Sequence, residues 1–230
     1  MKAPEIIVER TKNRASRALV RDGKIVIRLA RRLSAHEERE HIAWLLKRME
    51  RVWARESVRT SVDPFRPLLE GAQELLVETN LGKTWRFVLQ PSSRATVKVR
   101  DDVVTLGVPE RLDQKRLHRH LWNVLAWSMR EDIEQFVHAC NERTFQSPLS
   151  AIKIRAMTSQ WGSCSSRGVI TLNPALLMIE KELLEYVVIH ELAHTLHKNH
   201  SVRFWAAVSE YCDNFTERRK NLNQKRIIKL

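Results

Sequence analysis

The stretch Tyr186-Val-Val-Ile-His-Glu-Leu-Ala-His-Thr-Leu-His-Lys-Asn-His-Ser-Val-Arg-Phe-Trp205 decides how this 230-residue chain is read. It contains His190, Glu191 and His194 in the pattern H-E-x-x-H. The residues before it, Glu182 to Ile189, are largely apolar and hold no Gly or Pro, so a helix is predicted through the motif. Residues four apart on a helix share one face. His190 and His194 therefore direct two imidazoles at one point, as a tetrahedral zinc requires of two ligands. Glu191 is one position round, off the metal but near enough to take a proton from water held there.

A catalytic zinc site needs a third protein ligand and an open fourth position. His197 shares the face, but on a continuous helix it lies about 10 Å beyond His190 at 1.5 Å per residue. His200 is the better choice. Asn199 tolerates the left-handed backbone that ends helices, and Ser201 is a good N-cap for a following helix. A turn at Asn199 is thus expected to bring His200 back to the metal. The expected ligands are His190, His194 and His200, with Glu191 as general base. His197 is expected to line the pocket.

The spacing from His190 to His200 is also that of the metzincins, H-E-x-x-H-x-x-G-x-x-H. Here His197 replaces the Gly, and no Met follows His200, so no Met-turn exists in the sequence. The chain instead resembles the YgjP-like and SprT-like metallopeptidases, and the YgjP-like branch in particular. The matching residues are Trp161-Gly-Ser-Cys-Ser165, Gly168, Ile170-Thr-Leu-Asn173, Tyr186 through His194, Asn199-His-Ser201 and Phe204-Trp205. The resemblance implies three histidines on zinc and a glutamate base, which fall on the same four residues. It is strong over the last third of the chain and loose before it.

Composition sets bounds. At 43% hydrophobic the chain can bury a proper core, and its length suits one large domain or two small ones. It has no run of 18 apolar residues, so no membrane span is expected. Met1-Lys-Ala-Pro-Glu5 lacks the apolar segment of a secretion signal. Cys140, Cys164 and Cys212 are odd in number and without C-x-x-C spacing, which suggests neither a disulfide framework nor a thiolate metal site. A reducing cytoplasm is the expected compartment. The net charge of +13 resides at the two ends: residues 1–60 carry 16 Lys and Arg against 8 Asp and Glu, and residues 217–230 carry 6 against 1. Such ends suit a nucleic acid or another polyanion, or simply a solvated basic surface.

Read in order, Asp22-Gly23 between Ala18–Val20 and Ile25–Ile27 predicts a hairpin. Ser34-Ala-His-Glu37 predicts a capping box opening a helix to about Glu56. After Asp63-Pro64 and Arg66-Pro67, four β-rich runs between 74 and 108 predict a meander. Asp113 caps a predicted helix from Gln114 to about Asn141, expected beside the motif helix. Residues 152–156 and 168–172 read as strands flanking the polar loop 158–167. From Glu217 the chain is expected to fray. The fold class is α+β: a β-rich N-terminal region, 1–112, and a zincin-like catalytic unit, 113–230, with the H-E-x-x-H helix against a short sheet.

In zinc peptidases so arranged, an edge strand pairs with an extended peptide. The 152–172 unit is expected to supply that edge. Trp161 either lies near the cleft or plugs the core. Trp161, His197 and Tyr186 are the candidate substrate contacts, and His197, Tyr186 and Tyr211 the candidate oxyanion partners. The expected function is zinc-dependent peptide hydrolysis on a peptide or protein substrate. Two alternatives follow from the resemblance: a metal-dependent nucleoside triphosphate pyrophosphatase, as some YgjP-like proteins are described, and a protease acting on DNA-bound proteins, as SprT-like relatives are. No Gly-rich phosphate loop or acidic magnesium cluster supports the first.

Overall fold

The computed structural model describes residues 4–21, 24–58, 60–157 and 159–227. Two compact units divide the chain, residues 1–60 and 61–230.

In the first unit, strands β1 (Glu5–Arg10), β2 (Arg17–Arg21) and β3 (Lys24–Leu29) form a sheet in the order β1-β3-β2. β2 and β3 pair antiparallel with Val20 opposite Ile25, as the hairpin reading expects; Asp22 and Gly23 lie outside the described residues. Helix α1 (Ala35–Val58) opens on the capping box: Glu37 N–H donates to Ser34 Oγ at 3.3 Å, and Ser34 N–H donates to Glu37 Oε2 at 2.7 Å. It buries Leu45 and Met49 against Ile25, Ile27 and Leu29. Part of the basic excess here is paired, Arg10 with Glu38, Lys24 with Glu5 and Arg28 with Glu9.

After a two-residue strand β4 (Thr60–Ser61) and the short helix α2 (Arg66–Leu69), the second unit builds a four-stranded sheet. Its strands are β5 (Glu74–Glu78), β6 (Thr84–Pro91), β7 (Thr96–Arg100) and β8 (Val103–Val108). The order is β5-β6-β8-β7, with β6 and β8 parallel, so the expected meander is corrected. Burial explains the swap. β8, Val-Val-Thr-Leu-Gly-Val, buries Val104 and Leu106 completely and takes an inner place, whereas the charged Thr-Val-Lys-Val-Arg of β7 takes the edge.

The single helix expected from Gln114 is two, α3 (Gln114–Ser128) and α4 (Arg130–Glu142). Between them Met129 leaves helical geometry at φ −98° and ψ 8°; it is fully buried, and its sulfur accepts the indole N–H of Trp85 at 3.0 Å. Asp113 caps α3 as expected, accepting from Arg116 N–H at 2.9 Å.

A second sheet follows, order β10-β11-β9, from β9 (Ala151–Ile154), β10 (Gly162–Cys164) and β11 (Val169–Leu172). β9 runs parallel to β11 and β10 antiparallel to it, so β10 is an edge. A 3₁₀ turn, Pro174–Met178, leads into α5 (Lys181–Leu196), then α6 (Val202–Tyr211) and α7 (Phe215–Leu222). α5 packs against α4, α6, α7, β10 and β11. α7 corrects the frayed end expected from Glu217. Arg218 Nη1 donates to Glu185 Oε2 at 2.9 Å and to the Glu182 carbonyl at 3.1 Å, and Leu222 is buried.

The boundary expected at 112/113 falls inside the second unit. Val77, Trp85, Phe87, Val104 and Leu106 of the four-stranded sheet share one apolar core with Leu121, Leu125, Val188 and Leu192 of the helices. Asn80 fastens the two parts, its amide donating to the carbonyls of Leu176 at 2.7 Å and Ile179 at 2.8 Å.

Gly168 ends the β10–β11 turn at φ +73°, and a Cβ there would stand 3.0 Å from the Pro148 carbonyl oxygen. Gly168→Ala should therefore destabilise the fold by about 1–2 kcal/mol. Chemical denaturation measures this, and an unchanged midpoint would contradict it.

Candidate metal centre

α5 has apolar side chains all round. Leu183, Leu184, Val187, Val188, Ile189, Leu192 and Ala193 are all buried, the pattern of a helix enclosed by protein. His190 and His194, one turn apart near its C-terminal end, are half-buried, with ring centroids 5.0 Å apart.

The third imidazole arrives after the helix stops. α5 ends at Leu196 and His197 is its C-cap at φ −125° and ψ 106°. Asn199 is not left-handed, since the positive-φ residues other than glycine among those described are Arg32, Asp101 and Gln146. The turn expected at Asn199 is thus corrected: the chain leaves the helix earlier, at His197, and in extended rather than left-handed backbone. The expected cap at Ser201 is present, its Oγ accepting from Phe204 N–H at 3.4 Å. Together these bring His200 Nε2 to 3.0 Å from His190 Nε2, and the three histidines offer ligand atoms all within 4.8 Å of one another.

Phe204, fully buried, touches all three rings, with centroids 4.5 Å from His194, 4.8 Å from His200 and 4.9 Å from His190. Trp205 stacks on His200 at 5.6 Å and 25°, and Phe215 stacks behind Trp205 at 5.4 Å. The guanidinium of Arg219 lies 4.8 Å from the Trp205 ring centre. Two helices thus hold the loop-borne His200 against the helix-borne pair.

The YgjP-like family, metallopeptidase domain, matches residues 14–225. The chain belongs to this family. Two solved metallopeptidase zymogens are similar in part. Abylysin of Pyrococcus abyssi is 27% identical, over 42% of this chain and 99% of that one, with a TM-score of 0.35. Jannalysin of Methanocaldococcus jannaschii is 24% identical, over 40% and 94%, with a TM-score of 0.37. No curated protein matches the chain. It is a metallopeptidase, its substrate a peptide or protein. Among the described residues, no helix is long and apolar enough to cross a membrane.

The donor set of this YgjP-like metallopeptidase fits a four-coordinate metal. Two imidazole nitrogens bound to a tetrahedral zinc at about 2.0–2.1 Å stand roughly 3.3 Å apart, close to the separation of His190 and His200. Nδ1–H of His194 donates to the His197 carbonyl at 2.9 Å, which leaves its Nε2 lone pair free for a ligand bond. Burial, then the neighbouring His194 and His200, pushes His190 down to about 3. Burial also lowers His194, against the pull of the His197 carbonyl. Both shifts favour the neutral imidazole that metal ligation requires.

Glu191 is 6% exposed, and burial alone pushes its carboxyl up to about 8. A dication at the three histidines acts in the opposite direction. The side chain lies against the edge strand: a Cβ on Gly162 would stand 2.8 Å from Glu191 Cγ and from Oε1. The loop before β10 is shaped by Asn173, whose amide donates to the Met157 carbonyl at 2.8 Å and the Gln160 carbonyl at 3.2 Å.

The remaining candidates differ in placement. Trp161 is half-buried and packs against the main core, and its carbonyl accepts from Asn173 N–H at 2.8 Å. Tyr186, expected at the substrate, is 3% exposed with its ring 6.0 Å from His190, and burial pushes its phenol up to about 12. His197 is half-buried beside the trio and supplies a carbonyl to it. The ring of Tyr211 packs edge-on against Phe145 at 4.9 Å. Cys164 lies close enough to Glu191 and Lys198 to feel both charges, but burial is the main influence and raises its thiol. Gly162 and Arg219 were not singled out by sequence reasoning. Both meet residues of the site from distant parts of the chain, Gly162 at Glu191 from within residues 161–165 and Arg219 at Trp205.

Phe204→Ala removes the floor shared by three rings. It should cost about 3–5 kcal/mol in metal-free protein, read from denaturant midpoints; a loss below 1 kcal/mol would show that the rings do not rest on it.

Proposed function

We propose that the chain is a zinc-dependent peptidase in which His190, His194 and His200 hold the ion and Glu191 is the general base. The convergence of three Nε2-bearing rings beside a buried carboxylate carries this reading. All-imidazole ligation favours zinc among divalent ions. Bound there, zinc supplies Lewis acidity that activates water and polarises the scissile carbonyl.

The protein does the rest. Glu191 accepts a proton on its carboxylate from the attacking water and delivers it to the leaving amine nitrogen. Burial raises its affinity for a proton, and a dication at the histidines would return it to the ionised form that can accept one. Phe204 and Trp205 exclude water from behind the rings and fix their orientation.

The substrate would lie along β10. Asn173 N–H donates to the Trp161 carbonyl and Ser165 N–H donates to the Val169 carbonyl. Antiparallel pairs alternate, so Trp161, Ser163 and Ser165 bond inward to β11, whereas the backbone groups of Gly162 and Cys164 face the open edge. An extended peptide adding there would meet two residues' worth of main-chain donors and acceptors, and its scissile bond would lie beside Glu191.

Glu191→Gln should retain one zinc per chain and lose about 10²–10⁴-fold in kcat; wild-type turnover in that variant would defeat the mechanism. His200→Ala should lose zinc on dialysis, whereas His197→Ala should keep it, because residue 197 contributes a carbonyl that any residue has. Metal analysis of the two variants reads this directly, and the reverse pattern would move the third ligand to His197.

A further inference from the structure

We propose that Gly162 is a positioning residue for the base: the space its missing side chain leaves is the space the Glu191 carboxylate occupies. The inference rests on the reading of Glu191 as general base.

Glycine is chosen at a position for backbone freedom or for room. Backbone freedom is not the reason here. Among the described residues the positive-φ glycines are Gly71, Gly82 and Gly168, so Gly162 has a conformation any residue can adopt. Room is the reason. A Cβ at 162 would stand 2.8 Å from Glu191 Cγ, 2.8 Å from Oε1 and 3.0 Å from Cδ, all inside van der Waals contact.

Something must give way, and the structure indicates which group. β10 is held to β11 by its register from Gly162 opposite Leu172 to Cys164 opposite Ile170, and at each end by a further hydrogen bond, Asn173 N–H to the Trp161 carbonyl and Ser165 N–H to the Val169 carbonyl. α5 is packed against α4, α6, α7, β10 and β11 and moves no more easily. Glu191 hangs from α5 by rotatable bonds, so its carboxylate is the part that yields. The fold loses little, but the base is displaced from where the edge strand presents the substrate. A misplacement of about 1 Å costs on the order of 100-fold in rate. Gly162 thus sets two distances at once. Its backbone faces the edge where the peptide would pair, and its empty side-chain position fixes how near the carboxylate comes to that peptide.

The test uses the full chain loaded with zinc, as wild type, Gly162→Ala and Glu191→Gln, with a quenched fluorescent peptide mixture as probe. Zinc content, melting temperature, kcat and KM are measured, and a crystal structure of Gly162→Ala is solved. In that variant zinc should remain at wild-type content, the melting temperature within about 3 °C and KM within about 2-fold, while kcat falls about 10- to 100-fold. The crystal structure should show the Glu191 carboxylate shifted, with β10 and the three imidazoles in place. Wild-type kcat, an unshifted carboxylate, loss of zinc or fold, or a rise in KM at constant kcat would each overturn the inference. Wild-type activity in Glu191→Gln would overturn the base reading instead, and the shift of the carboxylate in Gly162→Ala would still be decided by the crystal structure.

Discussion

A helix with apolar side chains on every face cannot stand at a surface, and the enclosure of α5 governs the second unit. Leu183, Val187, Val188, Ile189 and Leu192 need cover in all directions, and α4, α6, α7, β10 and β11 supply it. The last two turns then bear two imidazoles and a carboxylate that the surroundings hold in place. Enclosure also sets their chemistry. The burial that lowers the affinity of His190 for a proton raises that of Glu191, since each is driven toward its neutral form. Neutral imidazoles suit a cation, and the raised proton affinity of Glu191 suits the base role proposed for it.

Each functional side chain at and just beyond the end of α5 has a neighbour set against it. His194 is aimed by the His197 carbonyl, the first backbone group past the helix end. His200 is carried on a non-helical stretch and stacks on the face of Trp205, which is itself backed by Phe215 and Arg219. Glu191 is bounded by the open side of Gly162. Partners beyond the ligands orient and tune a metal site, and their loss typically costs about 10- to 100-fold in affinity or activity. In this chain they come from four separate elements: the end of α5, α6, α7 and the edge strand β10.

Much of this was legible in the sequence, because the governing relations are local. The i to i+4 spacing of His190 and His194 is a property of any helix, and the Ser201 cap follows from one side chain and an N–H three residues on. What was not legible is long-range. The order β5-β6-β8-β7 depends on which strand the core covers, and a run such as Val103–Val108 does not announce its neighbours. The break at Met129 coincides with a contact to Trp85, 44 residues away. The basic segment after Glu217 reads as solvated, yet it is a docked helix because Arg218 finds Glu185 on α5. Residue preference puts the turn before His200 at Asn199, whereas the structure makes it at His197 without a left-handed residue.

Gly162 and Gly168 show how one residue type serves opposite needs six positions apart. At Gly168 the chain reverses with φ +73°, and a side chain would strain the backbone of the turn itself. At Gly162 the backbone is ordinary and the constraint lies across space, on a residue 29 positions later in the chain. The first glycine is a condition for the β10–β11 pair to form. The second is a condition for that pair to be useful, because a strand that paired equally well but carried a side chain there would push aside the carboxylate it lies against. A sequence motif such as Trp-Gly-Ser-Cys therefore joins two requirements that no local pattern separates. The strand edge has to exist, and it has to leave one side-chain position empty facing the helix.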